Sequence, residues 1–149
     1  MTPTAIVGAV VLVCTLGVGT VAHELSHALA LEIYGISYEI EWLPDRSETG
    51  PLRRYYSGPL ATVTPLDLQG MTVSTPLRVA AMMPFALVLP LAPVGAGILP
   101  DPFQIGTLPS QLALIGWLAC ALPSPRDFSL FWYADRIVEG RIPDKATSS

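Results

Sequence analysis

The sequence predicts a membrane α-helical protein: three transmembrane helices, a small β-containing cytoplasmic loop and a short C-terminal helix. Composition is the first support, because 51% of the 149 residues are hydrophobic and only 13% are charged, against about 25% charged residues in soluble domains. The mean hydropathy of +0.51 agrees. The second support is three apolar stretches of spanning length, which is about 20 residues. The third is the placement of basic residues between those stretches, which alternates as the positive-inside rule requires. A chain of this length is expected to form a single domain, here 1–149.

The first span covers residues 4–34. Its apolar run continues as helix through "VAHELSHALALEIYG" at 21–35, where Gly35 suits the stop. The second, 77–99, contains Pro84, Pro90 and Pro93, so a kink is expected; prolines are tolerated in a span when neighbouring groups satisfy the freed carbonyls. The third, 103–122, carries Pro109 near its start. Arg46, Arg53, Arg54 and Arg78 lie between the first two apolar runs, the link around "LPDPFQ" has no basic residue, and the tail 123–149 holds Arg126, Arg136, Arg141 and Lys145. The loop and the tail are therefore expected in the cytoplasm and the N-terminus outside, in a multi-pass protein of the cell membrane. No basic segment precedes the first run and no small-residue cleavage pattern follows it, so it reads as a span and not as a removable signal.

Within the loop 35–76, "ISYEIEWL" alternates, with Ile36, Tyr38, Ile40 and Trp42 on one face and Ser37, Glu39 and Glu41 on the other. That is the signature of a strand with one buried face. "PDRSETGP" follows as a turn-rich connector, and a second strand is signalled more weakly near Tyr55 or over 61–64. The net charge of −4, with no basic run interleaved with aromatics, excludes a nucleic-acid partner. Cys14 and Cys120 sit in apolar runs without metal-type spacing.

The chain has two histidines, and both fall in "HELSH", the pattern H-E-x-x-H. Residues four apart share one helical face, so His23 and His27 can address a single ion. Zinc favours such nitrogen ligands and at catalytic sites takes three protein groups plus water. Glu24 is offset around the helix and can act as general base toward that water, which attacks a carbonyl carbon. Packing of two imidazoles in a helix bundle is the competing explanation, but ionisable residues inside a span are costly and usually functional.

A third ligand must come from elsewhere. Glu32 lies more than about 90° around the helix from the histidines at 100° per residue and reads as an exposed interfacial charge. The longer zincin pattern is absent, since Ala30 and Ile33 occupy its glycine and last histidine positions. Asp101 falls on the outer side. Asp127 lies just after the third span on the motif's side, yet "SPRD" also reads as a helix start with Ser124 as N-cap, Pro125 first and Asp127 third. The two roles compete for one carboxylate. Asp135, two turns on, is the reserve.

"HELSHA" within an apolar helix, followed two spans later by a proline-flanked aspartate, resembles the site-2 protease family of membrane-embedded zinc metallopeptidases and the small zincin-like peptidases related to it. That resemblance implies a core of three transmembrane helices, with His23, His27 and Asp127 as zinc ligands and Glu24 as catalytic base. It implies a zinc endopeptidase acting on membrane-anchored proteins or peptides in the lipid bilayer. The chain departs from the family pattern at Ser26, where the larger proteases have glycine, and in a shorter, glycine-free aspartate segment spanning Pro123 to Phe128. "SGPLA" at 57–61 is similar to a glycine-proline motif of the family, but a polar stretch follows it. The alternative is a non-proteolytic metal-binding scaffold or carrier; a carrier is disfavoured because neither later span has a charged residue after Arg78.

Overall fold

The computed structural model describes residues 2–42, 61–66 and 73–139. The "PDRSETGP" connector, Tyr55, most of "SGPLA" and the last ten residues lie outside these.

Helix α1, Pro3–Ile33, is 31 residues long, or about 46 Å at 1.5 Å per residue. It starts where the side chain of Thr2 accepts the N–H of Ala5 and Pro3 takes the first helical position, where a missing N–H costs nothing. It ends at Gly35, whose φ of 67° places it in the left-handed region that glycine adopts freely. The N–H of Gly35 then reaches Glu32 and that of Ile36 reaches Leu31, both at 2.9 Å. This is a Schellman stop, and Ile36 and Leu31 both enter the core.

Strand β1, Tyr38–Trp42, pairs antiparallel with β2, Ala61–Pro65, in the register Tyr38↔Pro65 to Trp42↔Ala61. Tyr38 and Ile40 are half-buried while Glu39 and Glu41 are exposed, as the alternation requires. Trp42 departs from it: 51% of its surface is exposed, because the pair ends there and nothing described covers its last residue. The second strand is the 61–64 candidate.

The second apolar stretch is segmented. It runs as α2, Thr75–Met82, then a 3₁₀ segment, Met83–Leu91, then the single turn α3, Ala92–Gly95. Nine residues of 3₁₀ helix are unusual, as such runs seldom exceed 3–4 residues. Pro84, Pro90 and Pro93 explain it, since each deletes an N–H that an α-helix would need. Two stretches are long and apolar enough to cross a membrane, Pro3–Ile33 and Thr75–Gly95.

The stretch expected as a third span, 103–122, differs from that expectation. It is a one-turn α4, Pro102–Ile105, a break at Gly106 and Thr107, and α5, Leu108–Ala121, of 14 residues. Pro109 accounts for the new start, because it sits in the first turn, where proline belongs. The chain closes with α6, Pro125–Val138.

Helices α1 and α5 lie side by side and run parallel. Gly8 faces Leu108 and Leu112, Gly116 faces Leu12 and Thr15, and Gly19 faces Cys120. Small residues let helix backbones approach closely, a common device in membrane bundles. Among the described residues a packed core forms at the C-terminal end of α1, where Ala30, Leu31, Ile36, Leu77, Ala80 and Ala134 are buried together. Toward its N-terminus α1 leaves Ile6, Val7, Val10, Val13 and Val18 more than half exposed, an apolar belt too large for an ordinary water-facing surface.

Candidate metal centre

His23 and His27 lie one turn apart on α1, and both are buried. Their Nε2 atoms approach to 3.2 Å. The two Nδ1 atoms point the other way, each donating to a backbone carbonyl at 2.7 Å: His23 to Cys120 at the end of α5, and His27 to Ala80 in α2. A carbonyl can only accept, so each Nδ1 carries its hydrogen, and in the neutral ring Nε2 is left with a lone pair. Ser26, between them, turns its hydroxyl to the carbonyl of His23 at 2.6 Å, so the side chain standing at the family's glycine position stays within its own helix.

Asp127 arrives from the first turn of α6. Its Oδ2 lies 3.4 Å from Nε2 of His23 and its Oδ1 lies 3.3 Å from Nε2 of His27. The same carboxylate accepts the N–H of Ser124 at 2.5 Å, while the Ser124 hydroxyl accepts the N–H of Asp127 at 3.3 Å. The capping and ligand roles that compete in the sequence therefore coexist. The capping box holds the carboxylate at an angle that leaves both oxygens facing the histidines. Burial alone would push the Asp127 carboxyl up, but His23, His27 and Ser124 outweigh it and hold the group well below the usual carboxylate range.

With both rings neutral, two imidazole lone pairs and a carboxylate converge, an arrangement that favours a cation among them, either a proton on Nε2 or a metal ion. With zinc–ligand bonds near 2.0–2.1 Å, two tetrahedral ligands stand about 3.3–3.4 Å apart; the two Nε2 atoms lie 3.2 Å apart, and each faces a different oxygen of Asp127, at 3.4 Å for His23 and 3.3 Å for His27. His23, His27 and Asp127 form the one group of potential metal ligands among the described residues.

Glu24 is half-buried beside the histidines, on the side of the site where Val63 of β2 lies. The remaining candidates stand apart. Glu32 is exposed. Asp101 caps α4, accepting the N–H of Phe103 at 2.8 Å, at the end of the molecule where Gly8 meets Leu108. Asp135 is not a substitute ligand: it pairs with Arg78 at 2.6 Å and with the Ser74 hydroxyl.

The carbonyls of Ala80 and Cys120 are the site members that the motif did not reveal. No protein-family model, curated protein or solved structure matches this chain. The functional reading therefore rests on these residues and their arrangement.

Proposed function

We propose that this chain is a membrane-embedded zinc metallopeptidase of the site-2 protease type, hydrolysing peptide bonds of membrane-anchored proteins. The observation that carries the reading is the convergence of two imidazole lone pairs and one carboxylate, at zinc spacing, next to a glutamate. In this reading His23, His27 and Asp127 hold the metal. Bound zinc supplies a polarised scissile carbonyl and a water acidic enough to attack near neutral pH. Glu24 takes the proton of the attacking water and returns it to the leaving amine.

Placement in the bilayer supports the same chemistry. From Pro3 to His23 the helix rises about 30 Å, close to one hydrocarbon thickness, so the histidines sit at a boundary where water is available. We further propose three crossings, with α4 and α5 as the third. The 14 residues of α5 rise only about 21 Å, so this crossing relies on α4 and on local thinning of the bilayer. Parallel α1 and α5 fit such a path, since the second stretch must return between them. Arg78, Arg126 and Arg136 lie at the histidine end, and the link 96–107 at the opposite end has no basic residue; that asymmetry supports a cytoplasmic histidine end.

The test uses purified full-length protein in detergent or nanodiscs. About one zinc per chain is expected, as a mononuclear site requires. Glu24→Gln should keep that zinc and lower cleavage of a membrane-anchored reporter by about 100-fold or more. Wild-type protein that takes up no zinc, or undiminished cleavage by the variant, rejects the proposal.

A further inference from the structure

One row of side chains on α6 grows more polar in steps as the helix leaves the metal centre. Asp127, in the first turn, faces His23 and His27. Two turns later Ala134 is buried with Ala30 and Leu31 of α1, and Asp135 reaches Arg78 and Ser74 at the start of α2. Helix α6 therefore climbs beside the last turns of α1, away from the bilayer centre. Its inner side carries Leu130 and Ala134. The opposite side carries Phe128, Trp132 and Arg136, spaced four apart and so in one row. Phe128 is 43% exposed and Trp132 71%, and Arg136 is exposed too. Asp135 beside the row is taken by Arg78 and Ser74, and Glu139 comes only at the C-cap.

The two upper members of the row are braced where they stand. The Trp132 ring meets Phe131 edge to face at 5.5 Å, and Phe131 lies under the Arg78 guanidinium at 5.7 Å. The Arg136 guanidinium lies over the Tyr133 ring at 5.3 Å. The order apolar, amphipathic, cationic is the one a bilayer edge requires: acyl chains take phenylalanine, tryptophan favours the headgroup layer, and arginine reaches lipid phosphate. The scale fits as well. Four helical residues rise about 6 Å, and each headgroup layer is about 5–8 Å thick, from the difference between the hydrocarbon core and the whole bilayer. The base of the row is tethered at the right height. Helix α5 ends at Ala121 and α6 begins at Pro125, a gap of at most about 14 Å when fully extended, and Leu122 within it is exposed. A covering of protein would need no such order of polarity along the helix.

We propose that Phe128, Trp132 and Arg136 form a lipid contact that fixes the depth of α6, with Phe128 against the acyl chains, Trp132 in the headgroup layer of the same leaflet and Arg136 on lipid phosphate. Asp127 shares the first turn of α6 with Phe128, so the contact also holds that carboxylate at the level where water meets hydrocarbon. The inference rests on the bilayer placement in the proposed function and not on its zinc.

The experiment uses full-length protein in phosphatidylcholine vesicles, with Trp132 left as the single tryptophan by Trp42→Phe and Trp117→Phe. Lipids carrying a quencher on the headgroup should reduce its emission more than lipids brominated near the chain ends. Iodide in the water should quench it several-fold less than it quenches free tryptophan. Arg136→Glu should weaken the headgroup quenching, and Arg136→Lys should retain it. Trp117 donates its indole N–H to the Leu87 carbonyl at 2.8 Å, so wild type is probed as well. Vesicle lipids with a carbene precursor near the headgroup should, on irradiation, label Phe128 and Trp132 and spare Ala134, which is fully buried on the same helix. Free access of iodide to Trp132 would put the row in water and overturn the proposal. Absence of both quenching and label would overturn it too, showing a cover of protein, either a second copy or a loop of this chain. Strongest quenching from the chain ends would place the row in the hydrocarbon and reject the assigned depth. A row in lipid without zinc uptake removes the peptidase reading alone, whereas zinc uptake with the row in water removes this proposal alone.

Discussion

Along α1, Ile6, Val10 and Val13 keep more than half of their surface, whereas His23, His27 and Ala30 keep less than a tenth. One continuous helix thus contains two regions with different neighbours. Among the described residues the first region packs on α5 through Gly8, Leu12, Thr15 and Gly19 and leaves a broad apolar surface exposed. The second is enclosed by α2, α5, α6 and β2. Apolar side chains do not separate them, because alanines and leucines occur in both. What separates them is the set of groups brought alongside, and the costly polar residues occur only where that set can satisfy them.

The comparison breaks most sharply at the ligands. His27→Ala leaves two protein ligands where a zinc site needs three, so metal content measured by atomic emission should fall from about one per chain to background, and hydrolysis with it. If zinc stays bound, the buried region is no more than a packed helix end.

Core truncation is next. Leu77 is fully buried between the second region's helices, and Leu77→Ala should cost about 2–5 kcal/mol. Val13→Ala, on the lipid-facing side, should stay within about 0.5 kcal/mol. Both are read as thermal or denaturant unfolding in the same detergent. Equal effects at the two positions would mean that the apolar belt is covered by protein.

A smaller effect is expected where the two regions meet. A Cβ at Gly19 would lie 2.7 Å from the Cys120 sulfur, so Gly19→Ala must push α1 from α5. The expected cost is about 1–3 kcal/mol of stability. Zinc affinity should fall too, since the Cys120 carbonyl moves away from His23. Unaltered affinity with reduced stability would uncouple helix contact from the site.

The smallest change sharpens the reading of Asp127. Ser124→Ala removes the cap that holds the N–H of Asp127 and should cost about 1 kcal/mol while leaving zinc in place. Asp127→Ala should lose both the cap partner and the metal. Zinc retained in the aspartate variant would return Asp127 to a purely capping role.

Much of the second region was legible before any coordinates, because its rules are local. The histidine spacing follows from the helical repeat, the stop at Gly35 from the glycine's freedom at positive φ, and the start of α6 from the Ser124 to Asp127 capping box. The alternation from Ile36 gave β1 but overreached at Trp42, whose burial depends on how far the partner strand runs. Hydropathy over 103–122 was misleading in a similar way. It registers apolar content but not the break before Pro109, which leaves α5 with 14 residues.

The amino-acid order by itself determined where α1 stops and α6 starts, which stretches are apolar, and that two imidazoles share one helical face. Only the tertiary structure decided that Asp127 completes the group while Asp135 is drawn off by Arg78, and that Ala80 and Cys120 orient the rings. The reason is distance along the chain. His23 and Asp127 are separated by most of the sequence, and no local rule of periodicity or capping carries information across helices until they pack.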